Sequence, residues 1–180
     1  MEIICISSEE NYKNDVDLNH ITLIGHSRGG GIVLLKANED SRIKKVITLA
    51  AVSDFGSRSS TVGDLENWRK NGVKYVVNGR TKQNMPHFYQ FYTNFKENEN
   101  RLFIENSVKN LKIPLLIIHG DNDTSISLDE GKKIDSWCSN SKLEIIENAD
   151  HVFNVSHPWL QESLSKELEE VKNLCIHFLD

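Results

Sequence analysis

Ser27 stands at the centre of Gly25-His26-Ser27-Arg28-Gly29, a G-x-S-x-G sequence. The apolar, β-branched run Ile21-Thr22-Leu23-Ile24 precedes it, and the helix-forming run Ile32-Val33-Leu34-Leu35-Lys36-Ala37 follows. Strand, tight turn and helix is the context in which a serine is presented as a nucleophile. On such a turn the serine backbone is strained, and its neighbours must be small so that Oγ stands clear. The helix that follows aims free backbone N–H groups and its positive dipole end at the place where negative charge would develop. A phosphate cradle is the competing use of glycines before a helix. The run is not G-x-x-x-x-G-K-[ST], and no G-x-G-x-x-G starts at Gly25, so neither nucleotide loop fits.

A nucleophile of this kind needs a base and a group to orient it. Two further polar clusters close apolar runs downstream. Ile113-Pro114-Leu115-Leu116-Ile117-Ile118-His119 leads into Gly120-Asp121-Asn122-Asp123-Thr124-Ser125-Ile126, and Leu143-Glu144-Ile145-Ile146-Glu147 leads into Asn148-Ala149-Asp150-His151. Chemistry alone leaves Asp121 and Asp123 as rivals for the acid. His119, Asp121, Asp123 and His151 could also hold a divalent ion, but H-x-D-x-D matches no defensible ligand spacing. The acidic loop imitates a calcium loop and fails at Ile126, where glycine is required, and at Lys132, where the closing glutamate belongs. Neither a metal nor another cofactor is therefore expected. Asp150 reads as a loop-ordering acceptor, His119 as a group that orders the acidic loop, and His26 as a packed or hydrogen-bonded ring. His20, His87, His157 and His177 have no evident partner.

The elements that must position these groups follow from hydrophobic pattern. Strands are expected over 21–25, 45–52, 113–119 and 143–147, the first two continuously apolar where an exposed sheet would alternate. That favours a parallel sheet covered on both faces. Helices are expected over about 28–38 and from Ser127, its cap, to about Cys138. A last amphipathic helix, starting near Ser156-His157-Pro158, carries Leu160, Leu164, Leu168, Val171, Leu174, Cys175 and Phe178 on one face. Residues 53–112 interrupt this rhythm, with no strong strand. Phe88, Phe91, Tyr92 and Phe95 fall at i, i+3, i+4 and i+7, one face of a helix that packs on the domain and roofs a pocket as a lid.

Composition bounds the classes. The 180 residues suit one domain, with 38% hydrophobic and 26% charged residues. A net charge of −5 and the lack of a basic run argue against nucleic-acid and anionic-membrane partners. Cys5, Cys138 and Cys175, odd in number and widely spaced, suit a reducing compartment. Ile3-Ile4-Cys5-Ile6 follows Glu2 and is no signal peptide, so a cytoplasmic location is expected.

In a parallel α/β sheet, active groups gather at the carboxyl ends of strands, and here these ends offer Ser27, the acidic loop and His151 in that order. The chain resembles the α/β-hydrolase family, within it the lidded esterase and serine-aminopeptidase-like members. The resemblance rests on Gly25 to Gly30 as the elbow, on His119-Gly120-Asp121-Asn122-Asp123-Thr124-Ser125-Ile126 as its H-G-x-x-D-x-x-V loop, and on Ala149-Asp150-His151-Val152-Phe153 as its histidine loop. It implies a serine hydrolase of carboxylic esters, thioesters or amides, with Ser27 as nucleophile, His151 as general base and Asp123 as the acid of a triad. The backbone N–H of Arg28 would supply one oxyanion donor. Phe88, Phe91 and Tyr92 are the expected pocket residues for a small acyl substrate. The alternative is an impaired fragment or a non-catalytic binding protein. The fold implied is α/β, a mostly parallel sheet of about four strands with flanking helices, the C-terminal part of the family fold. Residues 1–180 would form one domain with residues 53–112 as a lid insertion. The family fold has eight strands with the elbow after the fifth, so the domain is expected to be N-terminally incomplete. Ile3 to Ile6 would then be the tail of a cut helix. Self-association through an exposed edge at Ile21 to Ile24 is a further expectation.

Overall fold

In Leu115-Leu116-Ile117-Ile118 every residue is apolar because every residue is buried, and the alternation of the strand sends them to two different cores. Leu115 and Ile117 join a cluster on one face, and Leu116 and Ile118 join a second on the other. A computed structural model describes residues 16–57, 64–78, 81–156 and 158–180. Ile3 to Ile6, Cys5 and His157 lie outside the described residues.

Strand β1 (Ile21–His26) is followed by helix α1 (Arg28–Glu39) and strand β2 (Ile43–Leu49). The insertion holds α2 (Leu65–Asn71), β3 (Val73–Val77), β4 (Asn84–Phe88) and α3 (Gln90–Glu97). Next come α4 (Ile104–Asn110), β5 (Leu115–Gly120), α5 (Leu128–Trp137), β6 (Ser141–Ile146) and α6 (Lys166–Leu179). The main sheet has the order β1-β2-β5-β6 and every pairing in it is parallel. Helices α1, α4 and α5 cover one face through Leu34, Ile104, Val108 and Ile134, while α6 covers the other through Val171 and Leu168. The α6 cover does not extend to β1, where Ile24 is 51% exposed.

Three local features depart from the expectations. Residues 53–112 do contain strands, an antiparallel β3–β4 hairpin running from Val73↔Phe88 to Val77↔Asn84. Tyr75, Val77, Met85 and Phe88 are exposed, and Val73 and Val76 are only half-buried, so burial leaves little mark on the sequence pattern. Phe88 consequently ends a strand and does not lie on the helix that carries Phe91, Tyr92 and Phe95. The last helix begins at Lys166, not near Ser156. Ser165 caps it, its Oγ accepting from Leu168 N at 3.0 Å while donating to Phe153 O at 2.7 Å. Leu160 keeps the apolar spacing but is 85% exposed. The stretch 53–112 is also not uniform, because α4 within it packs its Ile104 and Val108 into the main core against α1.

The insertion is held by Trp68, which is buried in α2. Asp64 caps that helix by accepting from Glu66 N and Asn67 N, and Gly72 ends it at φ 70°. The Trp68 Nε1–H donates to His87 O at 2.8 Å, its ring meets Tyr89 edge-on, and the Lys74 ammonium lies 3.3 Å from its centre.

Where α1 crosses β2, space decides which glycines are obligatory. A Cβ on Gly30 would come within 2.4 Å of the Ala51 Cβ, whereas a Cβ on Gly29 would meet nothing within 4 Å. Gly30→Ala should therefore cost about 1–3 kcal/mol. Gly29→Ala, inside a helix, should be neutral or gain up to about 1 kcal/mol. Urea midpoints of the two variants check this contrast.

Candidate active site

Ser27 links the end of β1 to the start of α1 with φ 57° and ψ −123°, a conformation that is costly for any residue with a side chain. The surroundings over-determine it. Ser27 N donates to Leu49 O at 2.8 Å, and Ser27 O accepts from Gly30 N and Val52 N. Gly25 is needed because a Cβ there would lie 2.4 Å from Gly29 O, across the turn. Ser27 is half-buried, and as α1 opens, the N–H of Arg28 falls outside the helix's own hydrogen-bond ladder.

His151 and Asp123 meet Ser27 from the ends of β6 and β5. The His151 Nε2 is 3.0 Å from Ser27 Oγ, and its Nδ1 is 2.7 Å from Asp123 Oδ2. A carboxylate can only accept, so Nδ1–H donates to Asp123 and leaves Nε2 to accept the serine hydroxyl proton. Asp123 is buried, and its Oδ1 accepts from Ser125 N at 2.8 Å and Ile126 N at 2.9 Å. Its carboxylate is thus fixed by the backbone of its own loop. Such a line of hydroxyl, imidazole and carboxylate can move a proton off the serine as Oγ attacks an electrophile.

Asp121 does something else. Its Oδ1 accepts from Asn148 N at 2.6 Å, Asp121 N donates to Ile146 O, and Asn122 N donates to Ala149 O. These bonds zip the aspartate loop to the histidine loop. A Cβ on Gly120 would sit 2.2 Å from Ala149 O, which is why glycine closes β5. Asp150 orders the histidine loop by accepting from Val152 N and Asn154 N, and His119 orders the acidic loop through Ile126 O at 2.9 Å.

His26 holds the histidine loop from the other side. Its Nε2–H donates to the backbone carbonyl of His151 at 2.8 Å, with the two rings 4.7 Å apart. The only sequence signal for that contact is a histidine beside the elbow serine, and Trp68 was equally unmarked within its polar segment. Among the described residues, no group of three or more His, Cys, Asp or Glu side chains is arranged to hold a metal ion. No helix among them is long and apolar enough to cross a membrane.

Two cavities adjoin this corner. One of about 360 Å³ runs between α1 and α3, lined by Ile32, Phe55, Phe95 and Leu102 among others. The other, of about 510 Å³, is lined by His87, Phe88, Gln90 and Asn94 among others. Both are lined by Arg28 and Phe91, and neither by Ser27, His151 or Asp123. Of the expected pocket residues, Phe91 therefore faces both cavities and Phe88 one. Tyr92 faces neither, because its ring packs against Tyr89 and Trp68.

No family model matches the sequence, and no curated protein sequence matches it. Solved structures do match in shape. Est1E from Butyrivibrio proteoclasticus superposes with a TM-score of 0.70 at 20% identity, over 98% of this chain and 66% of that one. The esterase domain of a Rhodothermus marinus protein gives 0.58 at 20% identity, over 86% and 60%. An α/β hydrolase from a sediment metagenome of the Mar Chica lagoon gives 0.60 at 14%, over 99% and 68%. The fold is that of the α/β-hydrolases. The chain spans about two thirds of the length of these α/β-hydrolase-fold structures. In this fold the parallel sheet brings strand ends together, which is how Ser27, Asp123 and His151 come to share one corner.

Asp123 and Asp121 differ in what their replacement should do. If the line from Ser27 to Asp123 turns over an ester, Asp123→Asn should lower that turnover by on the order of 10³- to 10⁴-fold, since the amide cannot hold the same imidazole tautomer. Asp121→Asn keeps an acceptor for Asn148 N and should cost less than about tenfold. Steady-state kinetics on an activated ester, with circular dichroism to confirm folding, separates the two.

Proposed function

We propose that this chain is a serine hydrolase of carboxylic esters that works through an acyl-enzyme on Ser27. The observation that supports the reading best is the continuous hydrogen-bonded line from Ser27 Oγ through His151 to the buried Asp123. In the first half-reaction Ser27 Oγ attacks the ester carbonyl carbon while His151 Nε2 takes its proton. The carbonyl oxygen becomes an oxyanion, and the Arg28 N–H at the positive end of α1 stabilises it. The C–O bond to the alcohol then breaks, and His151 returns the proton to the leaving oxygen. In the second half-reaction a water, deprotonated by His151, attacks the acyl-serine, and Ser27 recovers its proton as the acid leaves. Asp123 holds the imidazole in the required tautomer throughout and stabilises its charge. Thioesters and amides could enter the same chemistry. The aromatic residues of the insertion favour an ester over a peptide.

The α2–α3 insertion serves as a cap over the acyl or alcohol group, with Phe91 and Phe88 its contacts. A second reading is binding without turnover. It draws on the two cavities beside the elbow, which Arg28 and Phe91 line and Ser27, Asp123 and His151 do not.

Ser27→Ala and His151→Ala should each remove nearly all turnover of 4-nitrophenyl acetate, and the double variant should be no worse than either, since the groups act as a unit. A fluorophosphonate should label the unmodified chain at Ser27. Labelling without turnover would favour the binding reading, and normal activity in Ser27→Ala would end the hydrolase reading. For the cap, Phe91→Ala should change the ratio of kcat/KM between short and long acyl esters by about three- to tenfold. A purely structural Phe91 would lower Tm and leave that ratio alone.

A further inference from the structure

Arg28 directly follows Ser27, and its side chain is exposed on the cavity side of α1. The guanidinium carbon lies 5.1 Å from the centre of the Phe91 ring. Among the described residues no carboxylate pairs with it, whereas Arg42 and Arg101 are each bound by one, Asp40 and Glu39. Stacking on an aromatic face holds a guanidinium in a fixed plane and leaves its N–H edge free for a planar oxyanion. The 510 Å³ cavity around it is lined by Arg28, His87, Phe88, Gln90, Phe91 and Pro86, with Asn94 besides, and among the described residues no acidic side chain lines it. In the neighbouring cavity Glu39 is already occupied by Arg101 and Lys36 lies 3.9 Å from Asp40, which leaves Arg28 to set the sign of the field.

His87 lines the same 510 Å³ cavity as Arg28. Burial, and after it the charges of Arg28 and Lys74, hold its imidazole below the ordinary histidine range. The local positive field stands against a net charge of −5 for the whole chain. An acidic protein repels anionic ligands over most of its surface, so an uncompensated arginine at the mouth of the cleft concentrates them there.

Building on the hydrolase reading, we infer that the substrates are esters carrying a free carboxylate, which Arg28, oriented by Phe91, binds beside the nucleophile. The carboxylate can belong to the acyl part, as in a half-ester of a dicarboxylic acid, or to the alcohol part. Arg28 thus has two functions that separate cleanly, its backbone N–H toward the oxyanion and its side chain toward the substrate's charge. The first survives any substitution other than proline, and the second needs a cationic side chain.

The test uses the full 180-residue chain and matched pairs of esters. Monoethyl adipate against ethyl hexanoate probes a charge on the acyl side, and 4-acetoxybenzoate against phenyl acetate probes one on the alcohol side. At low salt one of the two anionic esters should exceed its neutral partner in kcat/KM by about tenfold or more. Arg28→Gln should lower that ratio about ten- to hundredfold, mainly through KM, and Arg28→Lys should restore part of it. Raising ionic strength to about 1 M, where the screening length is about 3 Å, should also shrink the ratio. A ratio unchanged in Arg28→Gln, or a preference for both neutral esters, would overturn the inference.

If no ester is turned over and the fluorophosphonate does not label Ser27, the hydrolase reading fails on its own account. Calorimetric titration of the Ser27→Ala chain with monoethyl adipate and with 4-acetoxybenzoate then decides the charge question. Saturable binding of either that Arg28→Gln abolishes supports the anion site, and the lack of it, or equal binding in both chains, rejects it.

Discussion

One backbone conformation sets the terms for the rest of this structure. At φ 57° and ψ −123°, Ser27 occupies a region that L-residues avoid, and it stays there because both sides of the turn are clamped. Leu49 O holds its N–H, Gly30 and Val52 hold its carbonyl, and Gly25 lets the strand pass the first turn of α1 without collision. The strain is spent on geometry. It lifts Oγ out of the sheet on the side where two other loops emerge, and it starts α1 with a free N–H beside that oxygen. The requirement extends to Ala51, whose small side chain is what Gly30 packs against.

The second constraint is that two loops from different strands must hold their relative position to within a hydrogen bond. Parallel pairing of β5 with β6 brings them to the same edge, but pairing alone leaves loops free to shift. Here they are fastened to each other by Asp121 to Asn148 N, by Asn122 N to Ala149 O, and by the close contact that Gly120 permits. From beneath, Ser165 Oγ grips Phe153 O and ties the histidine loop to the start of α6. From the serine side, His26 binds the His151 carbonyl. The imidazole is thereby positioned by its backbone as well as by Asp123, a distribution that keeps such a group within catalytic tolerance.

The insertion is built on a different plan. Its hairpin is largely exposed, and it gains order from one buried tryptophan that bonds His87 and packs on two tyrosines. That ring cluster draws Tyr92 inward and leaves Phe91 to reach toward Arg28. A helix of two turns can thus turn one aromatic into packing and its sequence neighbour into a wall of the cleft.

The sequence alone determined the features whose causes are local or that depend on burial from both sides. Ser27's turn was legible because glycines at fixed offsets and a strand-to-helix change have a direct steric meaning. The four strands of the main sheet were legible because Val46-Ile47 and Leu115 to Ile118 must be apolar on both faces. The β3–β4 hairpin was not, since its strands bury too little to impose a pattern, and neither was the start of α6, where Leu160 and Leu164 keep the apolar spacing without a surface to cover. Two carboxylates two residues apart have the same chemistry, and residue type cannot say which of them meets His151. The resemblance puts Asp123 in the acid's place, and the tertiary structure gives the physical reason. Asp123 is buried and held by hydrogen bonds from its own loop so that its other oxygen meets His151, whereas Asp121 is exposed and its carboxylate is taken up by Asn148 N.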